Sequence, residues 1–464
     1  MSDRAGGKIS LLDETGLLLR LAMPMMLTQI AQMGMGVADT MMAGRVSSAD
    51  LAGVALGGNF YWPSVLLLSG VIMSLTPSVS QLHGGGRESE AGEVVRQAFW
   101  IALVGGLSLI LLFNNVEPLY HLIGVDPRAI PIAVDYLQAL SWGVLPMLGY
   151  FTLRYLCEGL SWTFPAMLIA LSALLLKIPL NYLFIYGNEG LGIPAFGGQG
   201  CGWSSAVVMT YQLSMMLLVI VYSRIGAIGV FSRFSPPDRT AILRLVRLGL
   251  PIGLTMFLEM SMFSVVTLLI GRLGVEGVAA HQIAGNVGGM TFMVPLALGM
   301  AVSIRVGFNV GAGDLAAARR SGWLAIGLSL GFAVLAAAVV FSTRVFIVGL
   351  YSTEFAVVTL AMDLLLFVVL YQFFDDAQVT ALGALRGFKD TRTPMWVAII
   401  SYWLVGLPVG VLVGFGWVGP EEFEGVRGFW VGLLAGLIVA AVVLLVRYRW
   451  LSVQRHRILE FSAR

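Results

Sequence analysis

The sequence predicts an all-α integral membrane protein with twelve transmembrane helices in two parallel six-helix repeats. Three observations carry this. Hydrophobic residues make up 58% of the 464 residues. Charged residues make up only 12%, against about 25% in soluble domains. The chain also matches itself: shifted by 227 residues, its second half lands on its first for about 75 positions. Pro24 meets Pro251, Thr40 meets Thr267, and Gly44 and Arg45 meet Gly271 and Arg272. Asn59 meets Asn286, and Gly84 and Gly86 meet Gly311 and Gly313. The match resumes with a slightly larger offset, Gly159 on Gly387, Pro165 on Pro394 and Pro179 on Pro408.

Twelve apolar stretches are long enough to cross about 30 Å of hydrocarbon at about 1.5 Å per residue. They lie near 17–42, 52–78, 95–114, 130–154, 163–186, 202–223, 245–271, 278–304, 321–342, 355–383, 394–416 and 428–450. Six fall in each half, and an even number per half makes the repeats parallel. The expected division is a cytoplasmic start at 1–16, a first lobe at 17–223, a linker at 224–244, a second lobe at 245–450 and a tail at 451–464. Such duplication in a membrane protein points to a transporter with its site between the halves.

The net charge of +2 says little about partners. Placing both termini inside puts 22 of the 28 Lys and Arg residues in cytoplasmic segments, among them Arg4, Lys8 and the five of the linker region. External loops hold Arg45, Arg128, Arg272, Arg344 and Arg427. This bias predicts cytoplasmic termini. The polar start lacks the short apolar core of a secretory signal. Cys157 and Cys201 fall at opposite membrane faces and read as small packing residues, not a disulfide. Ser235–Arg239 reads as an N-cap and first turn leading into the seventh span. The Gly-rich turns at Gly84–Gly86 and Gly311–Gly313 lack the Lys-Ser/Thr ending of a nucleotide loop, so no nucleotide is expected.

Charges inside spans are costly, roughly 2.5–3.5 kcal/mol each on insertion scales. Asp39 lies in the outer third of the first span, on one face with Gln32 and Gly36. Its bland reading is a carboxylate reaching the outer interface. Glu259 sits near the midplane of the seventh span, with no basic residue within two turns along the chain. Asp375 and Asp376 are adjacent on the tenth span, about 100° apart around the helix. Tyr371 and Gln378 flank Asp375 at i−4 and i+3. Tyr371, Gln372, Asp375 and Gln378 supply hard oxygens suited to Na⁺ or a relay suited to H⁺. The reading takes Asp39, Glu259 and Asp375 as unpaired.

Weaker candidates follow. Asp135 and Asp363 fall where outer water reaches. Lys177 in the fifth span is positioned to pair with a carboxylate. Asn181, one turn on, is a cavity candidate. Gln282 and Asn286 share a face of the eighth span, and Phe292 could stack on an organic cation. Met33 belongs to a Met-rich first span, which suits either a promiscuous pocket or ordinary packing. Gly327–Gly331 matches G-x-S-x-G by coincidence, mid-helix with no preceding strand. No catalytic constellation is present, so an enzyme is not expected.

Several stretches resemble the MATE (multidrug and toxic compound extrusion) family, in its bacterial NorM-type branch. They are Ala38–Arg45, Pro251–Glu259, Ala279-Ala280-His281-Gln282, Tyr371-Gln372-Phe373-Phe374-Asp375 and, most specific, Leu385–Pro394. The resemblance implies V-shaped bundles in the bacterial inner membrane, alternating access and antiport driven by inward H⁺ or Na⁺. It implies no cofactor, no nucleic acid, function as a monomer, and lipophilic cationic drugs and dyes as substrates. The family's acids look like Asp39, Glu259 and Asp375 here. Asp376 is an additional carboxylate. Na⁺, if it binds, is expected at Glu259, Asp375 and Tyr371. The cavity is expected to use Gln32, Met33, Gly36, Asn181, Gln282, Asn286, Phe292 and Gln378.

Two other readings stay open. A major-facilitator transporter also has two parallel six-span halves, but the Gly84–Glu93 loop carries three Glu and one Arg where that family is basic. A lipid-linked precursor flippase would line its cavity with several cationic groups, whereas Lys177 stands nearly alone.

Overall fold

Long apolar helices account for almost all of the computed structural model, which describes residues 10–123, 127–188, 190 and 192–463. Arg4 and Lys8, counted above as cytoplasmic, lie outside the described residues. The first half comprises α1 (Leu11–Gly44), α2 (Ser48–Ile72), α3 (Leu75–Gly84), α4 (Glu88–Asn114), α5 (Glu117–Ile123), α6 (Ile130–Ser141), α7 (Val144–Gly159), α8 (Phe164–Tyr186) and α9 (Gly198–Tyr222). The second comprises α10 (Arg239–Gly271), α11 (Val275–Gly311), α12 (Leu315–Tyr351), α13 (Phe355–Gly387), α14 (Arg392–Ala398), α15 (Leu407–Gly414), α16 (Val426–Leu451) and α17 (Arg455–Ala463). Ile399–Gly406, between α14 and α15, is a π-helical stretch.

Ten helical segments of the described residues are individually long and apolar enough to span a bilayer. The other two spans are α1 and the α6–α7 pair. Arg20, Gln29, Gln32 and Asp39 dilute the hydropathy of α1. The fourth span is broken at Trp142 and Gly143 into pieces of 12 and 16 residues. The short α5 and α17 were not expected, because neither carries an apolar run of spanning length.

The repeat holds at the level of contacts and turns. Helices ending at Gly44, Gly84 and Gly159 have counterparts ending at Gly271, Gly311 and Gly387. The turns after Gly84 and Gly311 both need a left-handed glycine, at Gly86 (φ +68°) and Gly313 (φ +78°). Ser161 and Lys389, two residues beyond Gly159 and Gly387, both have φ +62°. A Cβ at Gly159 would strike Val79 at 2.7 Å, and one at Gly387 would strike Val306 at 2.7 Å. Those valines are themselves equivalent under the 227-residue shift.

The helices sort into two compact units. One is Leu27–Phe257. The other joins the part of α1 up to Met26 with Leu258–Arg464. In the first, glycines let α2 meet the early turns of α10: a Cβ on Gly70 would lie 2.3 Å from Gly253 Cα. In the second, a Cβ on Gly383 would lie 2.0 Å from Gly299 O, so α11 and α13 pack backbone to backbone.

Helix α10 begins at Arg239, inside the stretch expected to be linker. Its cap is Asp238, which accepts from Thr240 N at 2.8 Å. Ser235, expected at the cap, bonds Glu93 at 2.8 Å instead. The reason is α4, whose polar first turns strap the linker down. Arg96 donates to Gly229 O, Gln97 to Pro236 O and Trp100 to Ser235 O. In the second unit, Arg305 of α11 grips Glu14 of α1 through two nitrogens at 3.1 and 2.8 Å, and Ser321 donates to the same carboxylate.

Candidate functional site

Asp39, Glu259, Asp375 and Asp376 fall into two clusters, one within each unit, while Asp363 pairs instead with Arg427 at 2.5 Å. The first is built by α1, α8 and α9. Lys177 and Asn181 lie one turn apart on α8 and so share a face. Pro179 sits between them inside the helix. Both side chains point at Asp39 of α1: Lys177 Nζ lies 2.9 Å from Oδ1, and Asn181 Nδ2 donates to Oδ1 at 2.8 Å. Asp39 therefore is not unpaired, which corrects the expectation. Lys177 is 1% exposed and Asn181 fully buried.

Helix α9 completes the ring. Lys177 Nζ also donates to Ser204 Oγ at 2.9 Å, to Ser205 Oγ, and to the Cys201 carbonyl at 3.3 Å. Ser204 in turn donates to Asn181 Oδ1. The ammonium is thus held by a carboxylate, two hydroxyls and a carbonyl. This meets the demand that a buried charge be paired and hydrogen-bonded. Cys201 and Cys157 are buried free thiols.

Beside the ion pair opens a cavity of about 550 Å³. Gln32, Met33, Gly36, Asp39 and Lys177 line it, so three of the expected cavity residues are brought together there. Its walls also carry Met35, Met41, Tyr61, Trp62, Met147, Phe151 and Met209, with polar atoms from Asn59, Ser205 and Gln212 among them. Asn181 does not line it but reaches it through Asp39.

The second cluster is built by α10, α13 and the π-helical stretch. Tyr371 lies one turn before Asp375 along α13, and both it and Glu259 are within electrostatic reach of Asp375. Tyr402 donates to Glu259 Oε1 at 3.3 Å, and Trp403 donates to the Leu258 carbonyl at 3.2 Å. Both donors come from the π-helical stretch, where widened turns re-aim side chains. Asp376 faces elsewhere. Gln372 donates to its Oδ1 at 2.6 Å and accepts from Thr291 of α11 at 2.6 Å. Asp375 and Asp376 are 2% and 0% exposed. Asp375 Oδ1, Asp376 Oδ2, Gln378 Oε1 and Ser401 Oγ are buried with no hydrogen-bond partner among the described residues.

His281 belongs to the same unit. Trp430 donates to its Nδ1 at 3.2 Å, which leaves the proton on Nε2 to meet Thr267 Oγ1 at 3.0 Å. Trp430 also meets the Tyr371 ring edge-on, at 6.3 Å between centroids. Gln282 and Asn286 are exposed on one face of α11, and Phe292 is half-buried. These three and Gln378 belong to the second unit and do not line the cavity of the first.

Sequence reasoning missed Tyr402, Trp403, Ser204, Ser205 and Trp62. A hydroxyl or indole inside an apolar span carries no cost that makes it conspicuous. Pro408, which removes a backbone donor just beyond the π-helical stretch, was the available sign of irregular helix there.

The MatE family model matches the chain twice, at residues 24–183 and 251–412. The "Multidrug resistance protein MdtK" of Yersinia pseudotuberculosis is 41% identical over 440 residues, which cover 94% of this chain and 95% of that protein. The "Multidrug resistance protein PmpM" of Pseudomonas aeruginosa is 43% identical over 433 residues, covering 93% and 90%. Among solved structures, an outward-facing multidrug resistance MATE family transporter aligns with TM-score 0.84 at 18% identity over the whole of both chains. A MATE structure in the bent conformation aligns with TM-score 0.85 at 19% identity, covering 98% of each chain. The eukaryotic MATE transporter AtDTX14 aligns with TM-score 0.83 at 21% identity, covering 97% of this chain and 99% of that one.

Proposed function

The chain belongs to the MatE family, and from that premise we propose that it is a cation-coupled antiporter. It exports lipophilic, mostly cationic compounds across the bacterial inner membrane, with both termini cytoplasmic. The observation that carries this is the pairing of the two clusters. One unit holds an apolar cavity with a neutralised carboxylate. The other holds carboxylates with oxygens to spare. The names of the MdtK and PmpM relatives, multidrug resistance proteins, support drugs as the class of substrate.

The cavity suits bulky apolar guests. Five of its lining residues are the flexible, polarizable methionines Met33, Met35, Met41, Met147 and Met209, and Tyr61, Trp62 and Phe151 offer aromatic faces. Gln32 and Gln212 supply orienting polar atoms.

Coupling in this reading is divided between the units. Glu259, Asp375 and Tyr371 can take up a proton or help coordinate Na⁺, and Asp375 Oδ1 is buried with no hydrogen-bond partner among the described residues. At Asp39 the place of a hard cation is already filled by the Lys177 ammonium within its ring of oxygens. Na⁺ binding there would first have to expel a buried Lys, so the second unit is the better place for Na⁺. Protonating Asp39 would dissolve the ion pair and loosen α1 from α8. Cation uptake then weakens substrate binding by favouring a different conformer.

Efflux of a fluorescent cation from proteoliposomes, under H⁺ and Na⁺ gradients imposed separately, tests the proposal. Efflux driven by neither gradient overturns it. Undiminished coupled efflux by Glu259→Gln, Asp375→Asn or Asp39→Asn removes that residue from the scheme.

A further inference from the structure

A second, larger cavity of about 680 Å³ opens at the other end of the carboxyl-terminal unit's helices, where α12 starts and α16 hands over to α17. Arg319, Arg320 and Arg455 line it together with Trp323, over an apolar floor that includes Leu315 and Val453. None of the three arginines forms an ion pair with a described carboxylate. The neighbouring acids are spoken for: Glu14 by Arg305 and Ser321, and Asp314 by the cap of α12.

The repeat shows what is missing. The corresponding place in the other unit lies between α4 and the linker, and is lined by Arg96, Arg233, Phe99 and Trp100. There the arginines share an internal anion, Glu93, at 2.7 and 3.1 Å. Under the 227-residue shift Glu93 becomes Arg320, while Glu88 and Glu90 become Leu315 and Ala317. The second unit keeps the pocket, reverses its key charge and supplies no anion of its own.

We propose that this pocket binds the phosphate headgroup of an acidic phospholipid of the membrane leaflet it faces, with an acyl chain along Leu315 and Val453. Guanidinium groups suit phosphate through paired, parallel hydrogen bonds. Trp323, 37% exposed, sits as an interfacial aromatic does. Basic pockets at the ends of transmembrane helices are the expected recognition device for such lipids. The orientation proposed above decides only that the leaflet is the cytoplasmic one. The binding itself does not depend on it.

The test uses the full-length protein in mixed micelles, where there is no sidedness. Phosphatidylglycerol should raise the thermal unfolding midpoint by about 3 °C over equimolar phosphatidylcholine, by preferential binding to the folded state. Arg320→Glu, which installs the residue of the first repeat, should abolish that increment while leaving the midpoint in phosphatidylcholine unchanged. Arg455→Gln should halve it or more, and Arg224→Gln in the other unit should leave it intact. No difference between the two lipids overturns the proposal. So does an equal increment from inorganic phosphate alone, or an increment that survives both Arg320→Glu and Arg455→Gln.

Discussion

Lys177 and Asp39 form a buried ion pair, with Nζ 2.9 Å from Oδ1. The carboxylate that α1 carries into the membrane thus meets a cation supplied by α8. A buried pair is a poor source of net stability, but breaking it strands a charge.

Lys177→Met should therefore destabilise the protein by about 3 kcal/mol or more, with sharply reduced yield. The double variant Lys177→Met/Asp39→Asn should recover most of the loss, since no unpaired charge remains. Thermal unfolding of the three purified proteins measures both. If the single and double variants are equally unstable, packing rather than charge explains the site.

Asp375→Asn and Glu259→Gln should retain the fold and lose gradient-driven efflux by at least about tenfold. Each keeps the shape of its side chain and removes the ionisable oxygen. Asp376→Asn should do less, because Gln372 already engages Asp376. Initial efflux rates from proteoliposomes rank the three, and a larger loss for Asp376→Asn would reverse the assignment.

Trp62 is 43% exposed and lines the methionine-rich cavity. Trp62→Ala should weaken binding of flat aromatic cations by about 1–2 kcal/mol while leaving coupling intact. Dye titration by fluorescence polarisation reads the affinity, and ion-to-dye stoichiometry reads the coupling. An unchanged affinity would place the substrate elsewhere.

Gly383→Val should cost about 3 kcal/mol or more, since even a Cβ there falls 2.0 Å from Gly299 O. Gly331→Ala, with nothing within 4 Å of its Cβ, should be neutral or stabilising by about 0.5–1 kcal/mol. Melting curves of the two in one detergent make the comparison, and similar losses would argue against close α11–α13 packing.

The sequence by itself determined the helices, the duplication and the identity of the acids. Those are local properties. A span needs only a run of apolar residues, a repeat needs only similarity at fixed offset, and an intramembrane carboxylate is conspicuous wherever it lies. The tertiary structure decided which acids have partners. Nothing near Asp39 along the chain reveals that Lys177 and Asn181 reach it, because the fold brings α8 against α1. It also decided that Tyr402 reaches Glu259, since helical periodicity cannot foresee a π-helical stretch. Finally, it assigned the start of α1 and the start of α10 each to the unit opposite its own half. A continuous helix carries no mark of where its contacts change, so that division is visible only in packing.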